Sequence, residues 1–527
     1  MRDLHLPGRS VAYGAHGAAA TSQQLSTYIA LEVLRQGGNA VDAALTASAL
    51  QCVIEPHNTG IGGDCFALVW SAKDKKLFAY NGAGYAPERL TDQLLLDQGI
   101  DVIAPDSIHS VTIPGAIDCW DRLLKRHGTI AWRDIFKPAI EMGEKGFILH
   151  ERAAADWAEE ADKLKLDTGA RAQLLFNGRA PQAGELVRFP ELAATLKRIA
   201  NEGRDAFYKG DIAASLVAFL NAQGGVHTLS DFNDYQGQEV EPISSRYRDA
   251  TLYQIPPSGQ GLTTMVMLNI LDRFDTKDLD PLGVDRFHLQ IEASKLAYAM
   301  RDTFVADPAF GHVPVEDILS SKFTDELCAR IDRKKAMAPP SEVPAPYQRD
   351  TIYLTVADKD GNMCSFINSL YWSFGTGKVE SKTGIALQNR GSCFRVKPGH
   401  PNNVAPRKRP LHTIIPSFAT RDGKPWLSYG VMGGAYQPVG QAHVMQNLLD
   451  FGSNIQEAFD MPRGFFRVDS FEAERGIPAR TLTELAARGH MIISPDMPLG
   501  GGQGILITPK GYAAGTDPRK DGAALAY

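Results

Sequence analysis

Apolar residues Leu25, Ile29, Leu31 and Leu34 recur at helical spacing through residues 22–37, with Thr21 or Ser22 placed to cap the start and Gly37-Gly38 to stop the helix. The segment that follows, NAVDAALTASALQCVIEP, is apolar nearly all round, which predicts a second helix buried between layers. A glycine loop, HNTGIGGD, then leads into the run CFALVW, and KKLFAYNGAG reads as a second strand. With no helix between them, these two strands are expected to pair antiparallel. Residues from about 115 to 335 read as mostly helical, and VDRFHLQIEASKLAYAMRDTFV reads as the clearest amphipathic segment.

Residues 334–350 read as a flexible linker, because their four prolines cannot continue a helix or enter a central strand. Beyond it the pattern turns to strands. TIYLTV, the turn ADKDGN and MCSFIN form a hairpin; HTIIPSFAT, the turn RDGKP and WLSYGVMGG form another; GILITP and KGYAAGTDP close the chain. Helices followed by a strand-rich part give an α+β fold with helical layers around antiparallel sheets.

Composition narrows the function classes. Among 527 residues the net charge is −6, with no basic run longer than RKK or RKR, which argues against nucleic acid as a partner. The opening MRDLHLPGRSVAYGAHG lacks the apolar stretch of a signal peptide, and no run of about 18 apolar residues occurs, so a cytoplasmic protein without a membrane partner is expected. The six cysteines stand without a CxxC pair, which predicts reduced thiols, and no metal-ligand spacing such as HExxH is present. No metal or organic cofactor is expected.

Two motifs resolve as turns. TGIGGD lies between a helix and a strand, the reverse of the order a dinucleotide site needs, so it reads as a tight turn with positive φ. DKDGN is too short for a calcium loop and reads as a hairpin turn. Thr351 differs in its context. Cutting the Asp350-Thr351 bond would place an α-amine, titrating near pH 8, beside the Thr351 hydroxyl, so one residue would supply both nucleophile and base. Gly433-Gly434, at the end of a predicted strand, can present backbone N–H groups to an oxyanion because no Cβ blocks the approach.

The stretches GAHGAAATSQQLSTYIALEVLRQGGNAVDAAL, EPHNTGIGGD, SVTIPGAIDCW, DTIYLTVADKDGNMCSF, SFGTG, LQNRGSCF, MGGAYQP and DPRKDGAA occur in one order along nearly the whole chain. On them the chain resembles the γ-glutamyltransferase family of N-terminal nucleophile hydrolases. The resemblance implies a four-layer αββα sandwich made as a proenzyme. It would be cut before Thr351 into a large subunit (1–350) and a small subunit (351–527) that stay together, and the family admits a dimer of such heterodimers. It puts Thr351 on the nucleophile, Gly433 and Gly434 on the oxyanion pair, and Ser369 on a hydroxyl that bonds the nucleophile's amine.

The family's substrate-holding positions differ. No arginine precedes Ala86-Pro87, and Arg89 lies beyond it; Cys393 stands where an acidic residue would meet an α-ammonium, and Arg390 where the family has Gln. His412-Thr413 replaces a Ser-Ser pair, and Tyr371 an Asn. A thiol cannot give an ammonium a charge-assisted contact, whereas Arg390 offers a planar fork to a carboxylate, with Thr413 and His412 as further donors. The resemblance therefore implies a small amide that carries a carboxylate but no α-amine, such as oxamate, hydrolysed to oxalate and ammonia. A γ-glutamyltransferase or glutathione hydrolase, a β-lactam side-chain acylase and an uncut scaffold remain as alternatives, as does a structural salt bridge for Arg390.

Overall fold

In the computed structural model, which describes residues 5, 8–338 and 351–527, the chain builds two seven-stranded antiparallel sheets. One runs in the order Ala523–Ala526, Ala18–Thr21, Ile352–Ala357, Met363–Ser369, Asp64–Ser71, Lys76–Gly82 and Gln238–Val240. The other runs Ala12–Gly14, Gly511–Thr516, Gly501–Thr508, Lys424–Met432, Ser417–Arg421, Ala250–Gln254 and Ile243–Tyr247. Each sheet takes strands from both sides of Thr351, so neither part of the chain owns a sheet.

Strand alternation sorts the side chains into layers. Phe66, Leu68, Tyr353, Ile367, Phe418, Met432 and Ile505 meet between the two sheets, where Trp70 and Phe418 stack at 6.0 Å. Their neighbours Cys65, Ala67, Leu354, Val356 and Phe366 point outward onto the helices Gln24–Arg35 and Ala40–Ile54. On the far side Leu427, Tyr429 and Val431 pack on Gly261–Asp272, Val284–Phe304 and Gln437–Leu449. The result is the expected αββα order, and each fully buried large apolar side chain contributes about 1.5–3 kcal/mol to it.

The first helix begins one or two residues later than predicted. Gln23 caps it, its Oε1 accepting from Leu25 N at 2.6 Å, because Thr21 ends a strand and the Ser22 hydroxyl donates to the Glu55 carboxylate. The second is buried along its whole length and starts at an Asn39/Asp42 capping box. All six cysteines carry free thiols. The DKDGN turn is a hairpin turn in which the Asp358 carboxylate accepts from the backbone of Asp360, Asn362 and Ala40, the last joining the turn to the second helix.

Four sequence expectations are corrected. The helix Val284–Phe304 is not amphipathic: Arg286, His288, Glu292, Lys295 and Arg301 are all buried, and Lys295 Nζ meets Glu292 Oε1 at 2.8 Å. Of HTIIPSFAT only Ser417 onward is strand, since Gln437 and Gln441 side chains take the Ile415 N–H and C=O that a neighbouring strand would need. Within the linker, Ala336 and Met337 are tied down rather than loose. Ala336 N donates to Arg488 O, and Met337 is held through both its N–H and its C=O by Glu292 and Lys295. Its remainder, 339–350 with Asp350, lies outside the described residues.

The glycines of TGIGGD are not there for positive φ, which none of Gly60, Gly62 and Gly63 adopts. They are there for close approach: a Cβ on Gly62 would stand 2.1 Å from Ala386 O, and one on Gly63 2.2 Å from Ser369 O. We therefore expect Gly63→Ala to lower stability in urea unfolding by about 1–3 kcal/mol, the cost of overpacking a close-packed site. Wild-type stability in that variant would show that the contact yields freely.

Candidate active site

The strand register brings the site together. Ile352 pairs with Asn368 and Ser369 with Asp64, so Thr351, Ser369 and Asp64 lie side by side on three neighbouring strands, on the face turned to the second sheet. Thr351 is buried, and its Oγ1 lies 3.1 Å from Ser369 Oγ. Ser369 Oγ accepts from Tyr371 N at 2.9 Å, which leaves its hydrogen free to meet Thr351. In this structure Ser369 contacts the hydroxyl of Thr351 itself.

Gly433 and Gly434 follow the strand Lys424–Met432 of the second sheet, with φ of +116° and +54°. The Gly433 C=O accepts from Tyr436 N at 2.9 Å. Carbonyl and N–H of a trans peptide point opposite ways, so this bond turns the Gly434 N–H away from the helix that follows. Glycine is required at both positions, and at Gly433 a Cβ would also come within 3.0 Å of Gly500 Cα.

Arg390 is fully buried, with its guanidinium carbon 4.0 Å from the centre of the Tyr371 ring. Its Nη1 donates to Thr413 Oγ1 at 2.6 Å, while Nε and Nη2 have no hydrogen-bond partner among the described residues. Burial pulls the guanidinium's pKa down, partly offset by the nearby Cys393 and Tyr371. The Cys393 thiol is itself pushed up by burial, against the pull of Arg390. Among the described residues Arg390 has no salt bridge, so within them the structural-pair alternative is not what the fold builds. Tyr371 stands at φ +83°, an uncommon value for a bulky residue, held there by Ser369 Oγ on its own N–H and by Asn389 Oδ1 on that of Trp372. A cavity of about 320 Å³ opens beside these groups, lined by Tyr371, Cys393, Thr413, Ala435, Arg301 and Leu411.

His412 is placed next to the site but has no donor for a substrate, contrary to the expectation. Its Nε2 meets Asp64 Oδ2 at 3.0 Å and its Nδ1 accepts from Ile414 N. Burial and the neighbouring Arg390 push its pKa down to about 4, so the ring is neutral and donates through Nε2. Arg89 is exposed.

Sequence reasoning missed three contributors. Asp64 is wholly buried; Oδ1 accepts from Gly84 N, Gly115 N and Gln388 Nε2, and Oδ2 from His412. Asn389 ties Pro105, Gly375 and Trp372 around the Tyr371 turn. Gln260 binds both loops of the site from the part of the chain before Thr351. Asp64 and Asn389 sit inside motifs noted above, in TGIGGD and LQNRGSCF, yet nothing local marks their partners, which lie up to 348 residues away.

Two seven-stranded antiparallel sheets between helical layers, with Thr351 buried at the start of a strand, define an N-terminal nucleophile hydrolase fold. A solved cephalosporin acylase from Bacillus halodurans superimposes with a TM-score of 0.93 at 38% identity, covering 100% of this chain and 98% of that one. The Gamma-glutamyltranspeptidase family profile matches residues 26–527. The Glutathione hydrolase-like YwrD proenzyme of Bacillus subtilis is 36% identical over 508 residues, 94% of this chain and 95% of that protein. The Oxamate amidohydrolase proenzyme of Klebsiella pneumoniae is 31% identical, over 97% of this chain and 98% of that protein. The chain belongs to the γ-glutamyltranspeptidase family, as its motifs indicated, and is an amide-cleaving enzyme of that family. No described helix is long and apolar enough to cross a membrane.

The buried His412 gives a pH prediction. Its folded pKa of about 4 lies below the ordinary 6.5, so below pH 6.5 the unfolded chain takes up a proton that the folded chain refuses. The stability this neutral ring contributes is complete above pH 6.5 and is lost as pH falls through 4. His412→Gln should make unfolding free energy less steep across that window, by at most about 1.4 kcal/mol per pH unit, in urea titrations. An unchanged slope would show that His412 is not held neutral.

Proposed function

We propose that the chain is a proenzyme that cuts itself between Asp350 and Thr351. The resulting enzyme hydrolyses amides whose acyl part ends in a carboxylate and carries no α-ammonium. The observation that carries the substrate reading is Arg390, a buried guanidinium with two donors left without a hydrogen-bond partner and with no ion pair among the described residues. A buried cation without a partner is costly, and a substrate carboxylate would supply the missing charge. Cys393, in the place of an acidic residue, offers nothing comparable to an ammonium. Thr351 stands at φ +150°, a region that strains a β-branched residue, and cutting the bond on its N-terminal side would abolish that torsion; this supports the cleavage position.

In the reaction, the freed α-amine of Thr351 takes the Oγ1 proton as that oxygen adds to the amide carbonyl. Gly433 and Gly434 N–H groups hold the oxyanion, with Ser369 Oγ beside the nucleophile. Collapse breaks the C–N bond, and the amine's proton passes to the departing ammonia or amine. Water then adds to the ester, activated by the same amine, and releases the carboxylic acid and Thr351. Large and small subunits of one precursor are the protein partners this reading requires.

Oxamate is the shortest amide of this class. The neighbouring cavity of about 320 Å³ falls in the range of roughly 300–1,000 Å³ that encloses drug-sized ligands, and so favours a longer acyl group or a larger leaving amine. The high similarity to a cephalosporin acylase supports the same choice.

Thr351→Ala should remain a single band of 57.4 kDa and release no product. On processed protein, glutaryl-p-nitroanilide and γ-glutamyl-p-nitroanilide differ only in the α-ammonium. We expect the glutaryl compound to be preferred by at least about tenfold in kcat/KM, the worth of one unmatched charge contact. Arg390→Ala should lower glutaryl turnover about 10–100-fold while sparing an acetyl anilide. A preference for the γ-glutamyl compound, or Arg390→Ala losses equal on both acyl groups, would sink the substrate reading. Ammonia release from oxamate, run alongside, places the shortest member of the class.

A further inference from the structure

Gln260 immediately precedes the helix Gly261–Asp272 and is fully buried. Its backbone N–H donates to His412 O at 2.9 Å. Its side-chain Nε2 donates to two carbonyls, Thr413 O at 2.7 Å and Gly434 O at 2.9 Å, and its Oε1 accepts from Arg301 Nη1 at 2.9 Å. Two acceptors on one side and a guanidinium on the other allow only this orientation of the amide. The two hydrogens of one NH₂ group thus join the loop that carries Thr413, the partner of Arg390, to the loop that carries the glycine pair.

The glycine loop needs such a hold. Both residues have positive φ and lack side chains, so no side chain of their own restrains the loop. The Gly433 and Gly434 carbonyls accept from within the segment, from Tyr436 and Gln437 N–H, and Gly434 O and Ala435 O are held from outside it as well, by Gln260 and by the Tyr298 hydroxyl. Arg301 stacks on Tyr298 at 4.6 Å and pairs with Asp302 at 2.7 Å, so it is locked while it draws charge from the Gln260 amide and strengthens its two N–H donors.

We propose that Gln260, backed by Arg301, is a positioning residue that sets the distance between the oxyanion donors and the acyl-binding loop. Both lie before Thr351 and both loops lie after it, so in the processed enzyme the large subunit aims the oxyanion donors of the small one. The inference rests on the reading of Thr351 and Gly433-Gly434 given above. It adds that transition-state geometry is set by a side chain that touches neither the substrate nor the nucleophile.

The test uses processed full-length enzyme and whichever of glutaryl-p-nitroanilide, γ-glutamyl-p-nitroanilide and oxamate the parent turns over fastest. Gln260→Met removes both donors at similar volume. It should lower kcat about 100-fold with KM within about threefold, because the oxyanion contact is made in the transition state. Arg301→Lys, which keeps the charge and loses the Nη1 contact, should give a smaller kcat loss. The double variant should be no slower than Gln260→Met, as expected for groups acting through one another. Should Gln260→Met fail to assemble, Gln260→Glu carries the test. It keeps the shape but sets a carboxylate oxygen against two carbonyls, and the same kcat loss is expected with both subunits present on a gel. Unchanged kcat in an assembled Gln260 variant, a loss confined to KM, or losses that multiply in the double variant would overturn the inference alone. A parent that turns over none of the three amides would overturn the functional reading and the inference with it.

Discussion

The Asp64 carboxylate is the interaction on which the site depends. A carboxylate wholly removed from water is costly unless its lone pairs are filled, and Asp64 fills them from four directions: Gly84 and Gly115 N–H, Gln388 and His412. Those donors come from a loop after a strand, the start of a helix, the segment beside Arg390 and the loop above the second sheet. Because none can leave without stranding a buried charge, the carboxylate fixes where these segments meet. His412 is therefore a ligand of Asp64, and its neighbour Thr413 is the one left to face Arg390.

Charge at the site is distributed unevenly. Asp64 is matched by neutral donors, while the buried guanidinium of Arg390 is matched by a hydroxyl and a ring face. Arg301, by contrast, is paired with Asp302 and serves the scaffold. One cation thus serves the architecture, and the proposed carboxylate substrate rests on the other having no ion pair among the described residues. The same chain of contacts, from Arg301 through Gln260 to Gly434, ties a residue far in sequence to the glycine loop.

The strand register supplies the remaining constraint. A slip of one residue would send Thr351, Ser369 and Asp64 to the helical face of the sheet and move their chemistry away from Gly433 and Gly434. The close backbone approach at Gly62 and Gly63 guards against it, since neither position has room for a side chain.

The sequence by itself determined the layered α+β class, both hairpins, the fully buried second helix and the family. Each of these rests on signals within a few residues: apolar periodicity, Asp-Gly turns and short motifs in order. It also pointed to Thr351, Ser369, Arg390 and Thr413, which the structure brings to one place. Only the tertiary structure decided that the helix Val284–Phe304 is buried with its charges, that HTII is loop, and that Ala336 and Met337 are docked. It alone placed Asp64 and Gln260. The reason is physical: local spacing reports how a segment fills its own turns and faces, but a buried polar group takes its role from partners that folding supplies, and those lay 20 to 348 residues away for Asp64 and 153 and 174 for the Gln260 amide.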